Sequence, residues 1–395
     1  MMSTSTFRIT LQNNLQRLVP SSSTSSAILF NRTMSNTTLI NADTPIISLD
    51  EVKRFIVDCM KAVGTPENHA SELAELLADA DYRGHYSHGM NRLDIYMNDI
   101  KSGVCDPNAV PTILKENDCT AWVDGCNGIG AVVSNFCMKL AIKKAKQSGI
   151  GWVTCKGSNH FGIAGHYTMQ AQREGLLGFA CTNTSPFMAP TRAKQPALGT
   201  NPISLAVPSS GKEGMVLDMA TTAVAVGKIE IQRRKEAPLP LGWAMDENGQ
   251  ETSDPNKARF LYPLGGTEMN SGYKGYGLGI LVEVFCGILG GGQFATNIRK
   301  WGDTTKTANL GHSFFALNPN CFASDFESRM QNLSDILRNC QRVNPNEPVL
   351  IPGDPEIMHM AAVDKAGGVR YLQNQMESCK TLAATYNVTP LKPKD

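Results

Sequence analysis

Two histidines, an arginine and a serine stand where they could manage a proton and an anion. In GSNHFGIAGHY (157–167), His160 follows an apolar, β-branched run at 150–154 and precedes small residues and a new periodic segment. That layout reads as a strand, a tight turn and a helix start. It leaves an imidazole at a strand end, where open α/β sheets place their ligands. An imidazole near neutral pKa can take a hydroxyl proton and return it; bonded to local backbone, it is only a turn residue. In RGHYSHGMNRLDIY (83–96), Ser87 can cap a helix whose first turn carries His88, with Arg92 and Tyr96 following on the same face. A helix N-terminus with an unmet N–H, a histidine and a guanidinium would hold a carboxylate, bidentately through the arginine. The alternative is a solvated helix face with a stray arginine.

Two further stretches carry charge beside glycines or strand ends. VLDMATT (216–222) ends an apolar strand in Asp218 and opens a helix, so its carboxylate serves either a ligand or only a helix N-terminus. GYKGYGLG (272–279) sets Lys274 just before an apolar helix. Glycine there allows close backbone approach and lysine offers a point charge to phosphate or ribose oxygens; the other reading is a flexible turn. MDENGQETSDP (245–255) misses the EF-hand spacing and reads as a hairpin turn. DGCNGIGA and GILGGGQFA are glycine-rich, yet neither gives GxGxxG at a strand-to-helix turn with an acidic residue about 20 positions on. Walker, GxSxG and HExxH motifs are absent as well. Neither a Rossmann dehydrogenase nor a serine hydrolase is supported.

The elements that must position these residues change character along the chain. Ser48 and Glu51 form a capping-box signature for a helix with an apolar face from Val52 to Val63, ending at Gly64. A second helix is predicted from Thr65-Pro66 to Gly84, and a third after Ser87. From about Pro111, strands at 120–123, 150–154, 177–182, 203–207 and 215–218 alternate with helices at 134–149, after Gly162, at 221–235 and at 276–289. This is an α/β pattern with parallel or mixed pairing. From Ser324 the pattern is helical again, broken by NPNEPVLIPGDPE. We expect a leader at 1–44, a helical part at 45–115, a central α/β domain at 116–322, and a segment at 323–395 that rejoins the helical part.

Composition limits the partners. The 395 residues are 42% hydrophobic and 18% charged with a net charge of +1 and scattered Lys and Arg, which leaves no footprint for nucleic acid or an anionic membrane. The 11 cysteines form no CxxC pair and no zinc-like spacing, so no metal is expected and the thiols read as reduced, mostly buried groups of an intracellular protein. The most apolar helical stretch, 275–289, contains Glu283 and is shorter than the ~20 residues of a membrane span. Residues 1–42 are rich in Ser, Thr and Asn, carry Arg8, Arg17 and Arg32, and hold no acidic residue. They read as a mitochondrial targeting segment or as an unstructured tail, so the expected location is cytoplasmic or the mitochondrial matrix.

RGHYSHGMNRLDIY, GSNHFGIAGHY, TNTSP, GTNPISLAVP, LDMATTAVAVGKI, LPLGWAMDENGQETSDP and GYKGYGLG, in this order, resemble the type-2 malate/L-lactate dehydrogenase family. That group includes malate, L-sulfolactate, ureidoglycolate and 2,3-diketogulonate oxidoreductases and cyclic imine reductases. The resemblance covers roughly residues 46–356. It implies a homodimer, and a non-Rossmann NAD(P)-binding α/β domain with a mixed sheet beside a helical domain built from the N- and C-terminal segments. It implies that His160 is the acid/base, with Ser87, His88 and Arg92 at the substrate carboxylate. Thr184, Asp218, Met219, Ala220 and Lys274 would lie at the cofactor. One departure is the TEMNSG stretch (267–272) between the Leu-Gly-Gly turn and the Tyr-Lys-Gly motif, which the family usually joins almost directly. It leaves NAD against NADP open, with NAD favoured. The expected activity is hydride exchange with a small 2-hydroxy or 2-oxo acid, malate/oxaloacetate first. The alternatives are a cyclic imino-acid reductase and a catalytically silent dimer of the same fold.

Overall fold

The computed structural model describes residues 44–211 and 214–394. The expected leader therefore lies almost wholly outside the described residues. The chain opens with β1 (Ile46–Ile47), α1 (Leu49–Ala62), α2 (Glu67–Tyr82) and α3 (Leu93–Lys101). Next come β2 (Thr112–Glu116), β3 (Thr120–Asp124), α4 (Gly130–Ser148), β4 (Ile150–Ser158), α5 (Gly165–Arg173), β5 (Leu177–Thr182), β6 (Ile203–Val207) and β7 (Met215–Met219). Then follow α6 (Val226–Arg234), β8 (Ala244–Met245), β9 (Phe260–Leu261), α7 (Gly272–Glu283), β10 (Leu310–Leu317), α8 (Phe326–Arg338), α9 (Asp354–Ala366), β11 (Val369–Arg370) and α10 (Gln373–Tyr386).

Seven strands form one mixed sheet in the order β2-β3-β4-β10-β5-β6-β7. Only β3 and β4 pair in parallel, with α4 as their crossover; every other pairing in the sheet is antiparallel. Because β10 runs antiparallel to both β4 and β5, those two strands point the same way. So does β7, which is antiparallel to β6 beside β5. The carboxyl ends of β4, β5 and β7 therefore open at one edge of the sheet. Helices α4 and α5 cover one face with a core that includes Val133, Cys137, Ala141, Phe161, Tyr167 and Phe314.

The central strand β10 has no counterpart in the predicted pattern, because LGHSFFAL carries His312 and Ser313 in the middle of its run. Both are fully buried and both are satisfied. His312 bonds Thr182 Oγ1 through Nδ1 (2.6 Å) and Ser158 Oγ through Nε2 (2.7 Å), while Ser313 Oγ accepts from Trp152 Nε1 (2.8 Å). Pairing with neighbours that are distant in sequence is what makes polar residues tolerable there.

At the chain's flanks, β1 pairs with β11 (Ile46 opposite Arg370) and α1 packs on α10. Ser48 caps α1 through Glu51 N–H (3.2 Å), but the reciprocal half of the capping box is not made, since the Glu51 carboxylate grips Arg54 instead. Helix α6 begins at Val226, five residues later than its sequence pattern suggests, and α7 begins at Gly272, four earlier. Among the described residues no helix is long and apolar enough to cross a membrane, and all 11 cysteines are free thiols.

Candidate functional site

The strand directions bring His160, two residues past β4, to the same sheet edge as Thr184 beyond β5 and Asp218 to Ala220 at the end of β7. These segments are otherwise distant in sequence, and the sheet alone makes them neighbours. Beneath them Glu283 of α7, buried, accepts from Asn183 Nδ2 (2.9 Å) and Asn201 Nδ2 (3.1 Å), tying the two loops that follow β5 and precede β6.

His160 is half-buried, and its Nδ1 lies 2.7 Å from Tyr96 Oη. The Gly162 N–H also donates to Nδ1 (3.3 Å), so Nδ1 is the accepting nitrogen and the neutral ring carries its proton on Nε2. The ring stacks on His88 at 6.0 Å and meets the edge of Trp301 at 5.0 Å. Burial, then His88, Arg92 and His312, push the His160 imidazole well below its ordinary pKa. Burial, with Arg92 and His85 adding to it, pushes His88 down to about 3. Both rings are neutral in the resting protein at physiological pH. An anion seated on Arg92 would cancel part of that depression and raise the His160 pKa back toward its ordinary value.

The segment carrying Ser87, His88 and Arg92 corrects the sequence reading. It is not one helix: Tyr86–His88 and Met90–Arg92 are separate 3₁₀ turns, and α3 starts only at Leu93, without a side-chain cap. Gly89 breaks the run, because a Cβ there would fall 1.7 Å from Asp81 Oδ1. The buried Asp81 carboxylate fills that space, accepting from Met90 N–H (3.0 Å) and from the Tyr371 hydroxyl (2.7 Å). Ser87 caps nothing; its Oγ bonds His88 Nδ1 (2.9 Å). Arg92 Nε donates to Ser87 O (2.6 Å), while its Nη groups have no hydrogen-bond partner among the described residues and Nη2 stands 3.9 Å from Glu230 Oε2. The guanidinium centre lies 5.8 Å from the Trp301 ring. The segment thus presents no helix N-terminus, but an arginine positioned through Nε with its Nη end free of hydrogen bonds among the described residues.

A cavity of about 520 Å³ adjoins this cluster, lined by Ser87, His88, Asp218, Met219, Ala220 and Lys228 among others. Its volume lies in the range of ligand sites. Asp218 does not serve the helix that follows it; its Oδ2 accepts from Gly165 N–H (2.6 Å) at the start of α5, and burial raises its pKa to about 7. Thr184 lines a separate, smaller cavity with His160, and its Oγ1 accepts from Thr200 N–H (3.0 Å). Lys274 is not brought to either cavity. It sits exposed in the first turn of α7, with Nζ 5.9 Å from the Tyr273 ring. The TEMNSG stretch folds as a turn that hands Gly272 N–H to Thr267 O (2.9 Å), with Glu268 paired to Arg192 (2.7 Å).

Three contributors are not legible as such in the sequence. Helical spacing sets Tyr96 on the right face but gives it no role; its bond to His160 links residues 64 positions apart. Asp81 reads as one more helix carboxylate. Trp301 lies in a polar loop without periodicity, and the one available signal is a large aromatic among charged residues.

The sequence model of one family, malate/L-lactate dehydrogenase, matches residues 47–379. A malate dehydrogenase of Pyrococcus abyssi is 39% identical over 327 residues, covering 81% of this chain and 90% of that relative. A malate/(S)-sulfolactate dehydrogenase of Methanothermus fervidus is 36% identical, covering 87% and 98%. The crystal structure of malate dehydrogenase from Entamoeba histolytica superposes with a TM-score of 0.83 at 32% identity, covering 88% of this chain and 99% of that one.

Proposed function

Because the chain belongs to the malate/L-lactate dehydrogenase family, we propose that it exchanges a hydride with a small 2-hydroxy or 2-oxo acid, malate/oxaloacetate being the first pair to test. The cofactor is a nicotinamide dinucleotide, NAD or NADP. The observation that carries the substrate reading is one juxtaposition: an imidazole and an open-edged guanidinium meet on one indole, beside a cavity of about 520 Å³.

Arg92 holds the substrate carboxylate on its Nη edges, with Ser87 and His88 beside it. His160 faces the C2 oxygen. In reduction the ring, once protonated from solvent in the complex, gives that oxygen a proton and returns to neutral imidazole; in oxidation the neutral ring takes the hydroxyl proton, and Tyr96 stays bonded to Nδ1. Fixing the oxygens on C1 and on C2 orients C2 for transfer. Asp218, Met219 and Ala220 line the space that suits the dinucleotide, which when bound supplies or accepts the hydride. Thr184 acts from the His160 side. Lys274 would reach the cofactor only from outside the cavity.

The test is NADH and NADPH oxidation by the full chain against oxaloacetate, pyruvate, sulfopyruvate and cyclic imines. Oxidation driven by a 2-oxo acid is expected; oxidation driven by a cyclic imine alone would replace this reading. The family resemblance also implies a homodimer. Exposed Ile280, Leu281, Val284, Ile288 and Leu289 along α7 and its continuation offer it an apolar stripe. Sedimentation of the protein as a monomer would remove that part of the proposal.

A further inference from the structure

We infer that Trp301 is the specificity-determining floor of the substrate site, the side chain that limits the group a 2-oxo acid can carry at C3. The inference rests on the proposed roles of His160 and Arg92. A ketone whose oxygen meets His160 and whose carboxylate meets Arg92 has only its two faces and its C3 substituent left to place. The large cavity adjoins this pair through Ser87 and His88, and its lining includes neither anchor nor Trp301. The indole instead shares a smaller cavity with His160. It touches both anchors, with its ring 5.0 Å from the His160 ring and 5.8 Å from the Arg92 guanidinium carbon.

The indole and the His160 ring together line a small cavity of about 30 Å³, with Tyr96, Asn159, Thr184 and Arg299. Such a volume takes roughly one or two waters. A substituent at C3 that is directed there has room for a compact group only, unless the indole moves.

The loop that carries Trp301 is fastened for this task. Arg299 is ion-paired with the buried Asp99 of α3, and its Nη1 also donates to Asp303 O (2.6 Å), closing the loop on itself. Ile298, Ala308 and Leu310 form a small buried cluster at its base. Trp301 itself is 36% exposed. The backbone is anchored by its neighbours, so the indole can be cut back without removing what holds the loop.

The experiment compares kcat/KM for phenylpyruvate and for pyruvate, at saturating dinucleotide, in the parent, Trp301→Ala and Trp301→Phe. The phenylpyruvate-to-pyruvate ratio should rise by about tenfold or more in the alanine variant, the scale on which a pocket discriminates by size. It should rise less in the phenylalanine variant, with dinucleotide binding by calorimetry unchanged in both. Equal losses on the two substrates, or an unmoved ratio in both variants, would overturn the inference while leaving the site reading intact. A parent protein that turns over no 2-oxo acid sinks the site reading, and the role of Trp301 with it.

Discussion

Replacing His160 with alanine should lower kcat for 2-oxo acid reduction by about 10²–10⁴-fold, the span of a positioned general acid, and leave dinucleotide affinity at the parent value. His160 stands outside the lining of the large cavity, so the two readouts separate. The pH dependence has a fixed sign. Reduction draws a proton from the ring, so its rate falls as pH rises through the ring's pKa in the complex; oxidation rises over the same window. In the free protein that pKa is held well below the ordinary value by burial and by the charge of Arg92. A His160→Ala protein that works at the parent rate would end the acid/base role of this imidazole.

Arg92→Met should raise KM for the 2-oxo acid by about a hundredfold with a smaller change in kcat. That corresponds to ~3 kcal/mol, within the cost of removing one partner from a desolvated charge pair. Arg92→Lys keeps the charge but loses the two-edged grip and the bond to Ser87 O, so it should recover part of the loss. Both variants carry a second signature. Arg92 lowers the pKa of His160 and of His88, so in the methionine variant the pH profile should move upward, whereas the lysine variant should leave it in place. A loss in kcat alone, with KM and the profile unmoved, would take Arg92 away from the carboxylate.

Strands β5 and β6 are legible in the sequence because their apolar runs are bounded by turn residues, and the strand-end seat of His160 follows from the run before it. Ser87 to Arg92 mislead for a physical reason. Helical spacing cannot register that Gly89 lies against the Asp81 carboxylate, a contact eight residues back in sequence that forms only when α2 is packed. Strand β10 is hidden by buried polar residues whose partners lie more than 120 positions away. The side-chain roles rest on the order of many motifs together, since each motif alone allows a bland reading. Lys274 shows the limit: its motif is legible, yet α7 starts early enough to hold its side chain outside the cavities.

The hydrogen bond between Tyr371 and Asp81 joins residues 290 positions apart, and it gives biosynthesis a direction. Proteins leave the ribosome from the amino end, so Ser87, His88 and Arg92 are made long before the strand and tyrosine that brace them. The last-made strand of the seven-stranded sheet, β10, is complete at Leu317, before β11 and Tyr371 are made. Competence then arrives late, when Val369 to Tyr371 dock beside Ile47 and the phenol reaches the waiting carboxylate. Contacts this distant carry a loop-closure cost that slows their formation, which makes closure of this corner a late event in the protein's maturation.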